Sequence, residues 1–293
     1  MTKPGLQAYI LLVIQSAIWG SSFQAIKFAL EDFGPITIAA GRILLATIVL
    51  MLFAWSQGQR MPRHLPTLLR IILVGFFSCA LPFFLIPWGE QSVDSGRAAI
   101  FMATGPLIAI LLAHFTTQDE RLNRGKLIGF IIGFIGVILV VGVHSLSSGV
   151  GQLMPQLALM IAATSYVVSG LLVRSIHGVK SAMLSACVLL AGSVLTMPAA
   201  LLMEQPITNL MSSHFSALAA LIYLGLLPTG LAFLFRFYLI KQHGYTFLSQ
   251  VGYLVPLFSV IFGAVLLDEQ LTLSMISGLA LILSGIYISG KKA

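Results

Sequence analysis

Arg42 stands in the otherwise apolar run PITIAAGRILLATIVL, seven residues after Pro35. If that run is a helix crossing a membrane, the guanidinium starts about 10 Å inside it. A charge at such depth costs about 2.5–3.5 kcal/mol on insertion scales, which makes it functional by default. A planar guanidinium can take a carboxylate by two parallel hydrogen bonds. Arg42 is therefore a candidate to hold an anionic group. The competing reading makes it an internal counter-charge to Glu90, to Asp94 or to helix-end carbonyls.

Other residues could complete such a site. Trp19, Phe23, Trp88, Tyr166, Phe237 and Tyr253 fall in runs expected to face an interior. Their rings could grip an apolar side chain or a cation, although packing or lipid contact explains each one equally simply. Gln24 and Gln250 are candidate hydrogen-bond partners. Lys27 and Arg236 lie nearer the ends of their runs, where snorkelling accounts for them. Glu90, in IPWGEQ, could carry a coupling proton if it is buried; a salt bridge to Arg97 is the competing expectation. Pro82, Pro87 and Pro228 interrupt apolar runs and are candidate hinges or fixed kinks.

These residues need elements to position them, and composition says which kind. The 293 residues are 58% hydrophobic and only 9% charged, with a mean hydropathy of +1.00. A soluble domain would carry roughly 25% charged residues. The chain is read as an all-α integral membrane protein, since its runs are continuously apolar rather than alternating. A ruler of about 20 apolar residues places ten spans, near 8–30, 34–56, 68–90, 95–116, 125–143, 153–173, 182–203, 215–240, 245–267 and 272–290. The first run lacks a small-x-small cleavage site and reads as a retained span, not a signal peptide.

Several chemistries find no support. No G-x-x-x-x-G-K-[ST] loop occurs, the six histidines show no metal-ligand pairing, and no Ser/His/Asp set suggests an enzyme. Neither a cofactor nor a metal is expected. Cys79 and Cys187 lie in separate apolar runs as core thiols. The net charge of +7 comes from residues scattered in short loops, a topology signal and not a nucleic-acid surface. With both termini cytoplasmic, that side holds Lys3, Arg60, Arg63, Arg70, Arg121, Arg124, Lys126, Arg174, Lys180, Lys241, Lys291 and Lys292. The outer side keeps Arg97, with Lys27 near it, so the positive-inside bias favours this orientation.

The chain also repeats itself. At an offset of 149, Asp119-Glu120 matches Asp268-Glu269, Leu122 matches Leu271, and Gly129 and Gly136 match Gly278 and Gly285. This divides the chain into 1–147 and 148–293, with five spans each. Five is odd, so the second copy is inverted in the membrane. The first Asp-Glu pair is followed by Arg121, Arg124 and Lys126, and the second by Gln270, Leu273 and Met275, as expected if only the first faces the cytoplasm. Asn123 and Thr272 are equivalent N-caps for the helices that follow, and both acidic pairs should favour those helix N-termini; a gating or coupling role is the alternative. Gly125, Gly129 and Gly133 form a small-residue face for close helix contact. Inverted repeats are a mark of secondary carriers, which bind substrate between the copies and expose it to each side in turn.

AIWGSSFQAIK, PITIAAGRILLA and GPLIAILLAHFTTQDERLNRGKLIGFIIGFIGVILV resemble the EamA-type drug/metabolite transporter superfamily. VPLFSVIFGAVLLDEQLTLSMISGLALILSGIYISG resembles the same domain again, although Tyr166-Val167 stands where the first copy has Trp19-Gly20. The resemblance implies ten transmembrane helices as two inverted five-helix EamA-like repeats around a central cavity, in a bacterial inner membrane. It implies export of small metabolites, with amino acids or related carboxylates favoured. Efflux of organic cations held by the aromatics is the alternative within the class, and a channel is the alternative outside it. Proton or exchange coupling and a monomeric or homodimeric state are both compatible with the sequence.

Overall fold

The computed structural model describes residues 5–109, 124–141, 150–173, 175–243, 245–248 and 250–290. Among these residues every regular element is a helix. In chain order they are α1 (Leu6–Ala29), α2 (Pro35–Ser56), α3 (Leu65–Gly75), a π-helical turn (Phe76–Ala80), α4 (Leu81–Glu90), α5 (Ser95–Met102), α6 (Arg124–Val141), α7 (Val150–Val173), α8 (Ser181–Met203), α9 (Pro206–Ser212), α10 (Phe215–Leu224), a second π-helical turn (Gly225–Leu231), α11 (Ala232–His243), α12 (Tyr245–Leu248), α13 (Val251–Leu266) and α14 (Leu273–Gly290). Six helical stretches are long and apolar enough to cross a membrane, and the helices over 254–266 and 273–288 are shorter apolar ones. The chain is a multi-pass membrane protein.

Proline chemistry shapes the two broken helices. The π-helical turns begin at Phe76 and Gly225, separated by the same 149 residues as the sequence matches. In the first, the Leu81 N–H donates to the Phe76 carbonyl, five residues back. In that register the Phe77 carbonyl would await the N–H of residue 82, which is Pro82 and has none. The Ser165 hydroxyl of α7 donates to the Phe77 carbonyl instead. In the second, Pro228 cannot serve the Leu224 carbonyl, and the Thr229 hydroxyl donates to it at 2.8 Å. Pro82 thus opens α4, Pro87 lies inside it, and Pro228 lies within the second turn.

Helices from distant parts of the chain pair closely. α2 packs on α8, α6 on α14, α1 on α13 and α10, and α4 on α7. One core cluster gathers Phe23, Ile26, Phe101, Leu159 and Met275; another gathers Ile43, Leu50, Phe83, Met183 and Leu189. The glycine face of α6 is used within the chain. A Cβ added to Gly285 would lie 2.4 Å from the Gly129 carbonyl and 2.6 Å from the Gly133 nitrogen. Backbone cannot yield as a side chain would, so Gly285→Ala should cost about 1–3 kcal/mol by overpacking. Thermal unfolding in detergent should show the lowered midpoint, and a midpoint equal to wild type would contradict this packing.

The acidic-pair turn differs from its sequence reading. Thr272 does cap α14, accepting from the Met275 N–H at 3.3 Å. Glu269, however, does not serve the helix that follows it. It reaches across to α5, because α13 delivers it beside that helix's unsatisfied N–H groups. Asn123 and the Asp119-Glu120 pair lie outside the described residues.

Candidate functional site

Arg42 lies at the centre of the packing, 4% exposed. Its Nε donates to the Thr229 hydroxyl at 3.0 Å. Thr229 directs its own proton to the Leu224 carbonyl, which turns an oxygen lone pair toward the arginine. The guanidinium sits 4.0 Å from the centroid of Phe83. So α2 supplies the charge, the proline-broken π-helical turn supplies the hydroxyl, and α4 supplies the ring face.

Arg42's two terminal nitrogens donate no hydrogen bond among the described residues, and no carboxylate there pairs with it. Glu90 and Arg42 feel each other's fields without an ion pair. Tyr166 and Cys79 lie within the fields of both Arg42 and Arg236. Arg236 stands 5.9 Å from the Phe233 ring centroid. The cluster therefore carries two guanidinium groups, and an anionic group suits it better than a cation.

Two side-chain donors hold the π-helical turns. Trp19 Nε1 on α1 donates to the Pro228 carbonyl at 2.9 Å. Ser165 on α7 performs the matching task on Phe77. Both irregular turns are thus fixed by the first helix of the opposite half, next to the arginine.

The structure gathers Arg42, Tyr166, Trp19 and Pro228 from the sequence candidates. Trp88 and Pro87 lie further along α4, with Pro87 buried and Trp88 half-buried. Phe23 is packed into the core. Gln24 binds helices together: its Nε2 donates to the Ser95 hydroxyl at 2.8 Å and to the Ser259 carbonyl at 2.9 Å. Gln250 is exposed at the N-terminus of α13. The side chains of Phe237 and Tyr253 lie outside what is described. The expected Glu90–Arg97 salt bridge is absent among the described residues. Glu90 is fully buried, and neither of its carboxyl oxygens has a hydrogen-bond partner. Thr229 was missed from sequence, as was Glu204. The one signal for Thr229 was its place directly after Pro228, where a freed carbonyl needs a donor.

Carboxylates close the end of the bundle that carries the α1–α2 loop. Glu204, at the C-terminus of α8, accepts from the N–H groups of Ile36 at 3.1 Å and Thr37 at 2.8 Å, on the first turn of α2. Glu269 accepts from Ser95 at 2.7 Å and Gly96 at 2.9 Å, on the first turn of α5. Negative charge is favoured at helix N-termini, where N–H groups lack intrahelical partners. Gly263 makes room, since a Cβ there would fall 2.4 Å from the Glu269 carboxylate. Gln205 and Asp268, each next to a capping glutamate, have φ of 45° and 51°. That left-handed conformation costs about 1–2 kcal/mol per non-glycine residue, so both caps sit beside strained backbone. At the opposite end the amide oxygen of Gln59 accepts from the Met183 N–H at 3.0 Å, near the start of α8. A recess of about 200 Å³ beside it, lined by Arg60, Pro62, Gly178 and Lys180, holds none of the expected site residues.

Asp32 joins the same closed end. The His214 backbone N–H donates to it at 2.6 Å, with the imidazole 3.1 Å away. These contacts, the backbone one foremost, hold Asp32 below its ordinary value of 3.8. A depressed carboxyl stabilises above its unfolded value and loses that contribution as pH falls through the folded one. Wild type should therefore melt above Asp32→Asn at neutral pH, and the gap should close as pH drops below about 3.8. A gap that is constant with pH would refute the contact's role.

A sequence profile of the EamA-like transporter family matches residues 6–142 and again 151–290. The chain is similar to the uncharacterized transporter YoaV of Bacillus subtilis (strain 168), 24% identical over 95% of this chain and 94% of the relative. It is similar to the uncharacterized inner membrane transporter YedA of Escherichia coli (strain K12), 29% identical over 90% and 83%. It is also similar to the probable terminal-alkyne amino-acid exporter of Streptantibioticus cattleyicolor, 26% identical over 96% and 92%. A solved crystal structure shares the fold, with a TM-score of 0.69, 19% identity and 97% coverage of both chains. The twofold profile match spans nearly the whole chain, and the protein belongs to the EamA-like transporter family.

Proposed function

We propose that the protein is a secondary carrier that exports amino acids or related carboxylates across a bacterial inner membrane by alternating access. In this reading residues 1–147 and 148–293 are two inverted five-helix repeats, giving ten spans with both termini cytoplasmic. The end closed by Glu204 and Glu269 is then the outer face. The observation that carries the substrate class is the buried Arg42 guanidinium, which is oriented by Thr229 and Phe83 and has no paired carboxylate among the described residues. A substrate carboxylate would supply the missing anion, and Tyr166 and Trp19 would border it. The similarity to a probable amino-acid exporter supports the same class.

Alternation needs bistable contacts, and the two glutamate caps supply them on one face. Releasing both would separate α8 from α2 and the α13–α14 turn from α5. The π-helical turns, Pro82, Pro87 and Pro228 would absorb the motion as hinges. Counterflow in proteoliposomes, with labelled amino acids and organic cations as probes, tests the reading. Preloaded amino acid should drive uptake of the labelled amino acid above protein-free vesicles. Accumulation of cations alone would overturn the carboxylate assignment, and flux without saturation or counterflow would indicate a channel.

A further inference from the structure

Glu90 closes α4 near the capped end of the bundle, and its surroundings are unusual for a carboxylate. The residue has 0% exposure, and both carboxyl oxygens lack any hydrogen-bond partner. Lys27 on α1 is close, yet its ammonium donates to the backbone carbonyl of Glu90 and not to the carboxylate. The other charged groups whose fields reach it are Glu269, beyond α13, and Arg42 on α2. Arg97 on α5 forms no ion pair with it, and the Arg97 Nε is itself buried without an acceptor. The face of α7 against neighbouring Gly89 presents Leu159 and the Pro155 carbonyl, and α7 carries no charged residue.

An ionised carboxylate removed from water costs several kcal/mol unless donors or a close cation compensate it. No described group donates to this one. The neutral acid avoids that cost, since it exposes no uncompensated charge. The same position lies within the field of Glu269, the group that seals α5. Departure of Glu269 from the α5 N-terminus would remove one carboxylate from that field and uncover the N–H groups of Ser95 and Gly96, five and six residues after Glu90.

We propose that Glu90 is a proton-binding site, which holds a proton while the α1–α2 end is sealed and exchanges it with water on that side when the Glu269 cap releases. The step is a simple protonation: a carboxylate oxygen takes H⁺ from water on that face and returns it there, with no other bond changed. This inference rests on the cap release of the proposed alternating access and not on the identity of the transported substrate.

Infrared difference spectroscopy of the purified full-length protein in lipid nanodiscs tests it without a substrate. Wild type at neutral pH should show the C=O stretch of a protonated carboxyl. Labelling with ¹³C-glutamate should shift that band, and Glu90→Gln should remove it while the protein remains monodisperse. If Glu90→Gln does not fold, Glu90→Asp serves in its place: the band should persist but lose its response to ¹³C-glutamate. In Glu269→Gln the band should disappear on raising pH earlier than in wild type. Absence of a Glu90-dependent band at neutral pH would overturn the proposal. So would a band that titrates identically in wild type and Glu269→Gln, since Glu90 would then be a buried acid indifferent to the cap.

Discussion

Arg42→Ala will reduce amino-acid counterflow by about 30- to 4,000-fold while leaving the folded yield near wild type. Truncating one partner of a buried, hydrogen-bonded charge pair costs about 2–5 kcal/mol, and each 1.4 kcal/mol is about tenfold in affinity. The fold should survive because no described carboxylate would be orphaned by the change. The Thr229 hydroxyl loses its donor and the Phe83 face its cation. Arg42→Lys keeps the charge but loses both the planar fork and the Nε contact to Thr229, so it should recover only a small part of the flux. Counterflow in reconstituted vesicles, normalised to folded protein, reads both variants. Wild-type flux in Arg42→Ala would make the arginine a structural charge.

The second large effect concerns the capped end. Glu269→Gln will shift the resting population toward an open α1–α2 end by about 10- to 100-fold. The carboxylate accepts from two N–H groups on α5, and a hydrogen bond to a charged group is worth about 1.5–3 kcal/mol. The amide keeps one acceptor oxygen but loses the charge that favours a helix N-terminus. Strain at Asp268 adds to the drive for release. Combining Glu269→Gln with Glu204→Gln should add to the effect, since the two caps sit on different helices. The readout is the distance between spin labels at Gln91→Cys and Leu271→Cys, in a background where Cys79 and Cys187 are replaced by Ala. A longer-distance population should rise in the variant. An unchanged distance distribution would remove the caps from the gating account.

Much of the architecture could be read before any coordinates. Charge scarcity and continuous apolar runs identify a multi-pass helical membrane protein, because lipid allows only helices or closed barrels and a barrel strand would alternate. The 149-residue offset, drawn from the Asp-Glu and glycine matches, is also the spacing of the two π-helical turns. Arg42 stood out because a charge in an apolar run has few explanations. Its setting did not. Thr229 is 187 residues away, and nothing local says which helix will face α2. The same limit applies to Glu204 and Glu269. Each looks like a loop residue beside its own helix, yet each caps a helix more than 160 residues distant. Glu90 shows the converse error: proximity in sequence suggested a bridge to Arg97, and helix geometry leaves the two unpaired.

Arg42 binds the carboxylate of the substrate in the proposed carrier. The most direct test is a two-by-two comparison of binding to purified wild type and Arg42→Ala. The ligands are the best-transported amino acid and the same compound with its carboxylate converted to a primary amide. Wild type should prefer the acid by about tenfold or more. Arg42→Ala should lose this preference while binding the amide as wild type does. An equal preference for the acid in both proteins would contradict the assignment, because the arginine would then have no part in reading the carboxylate.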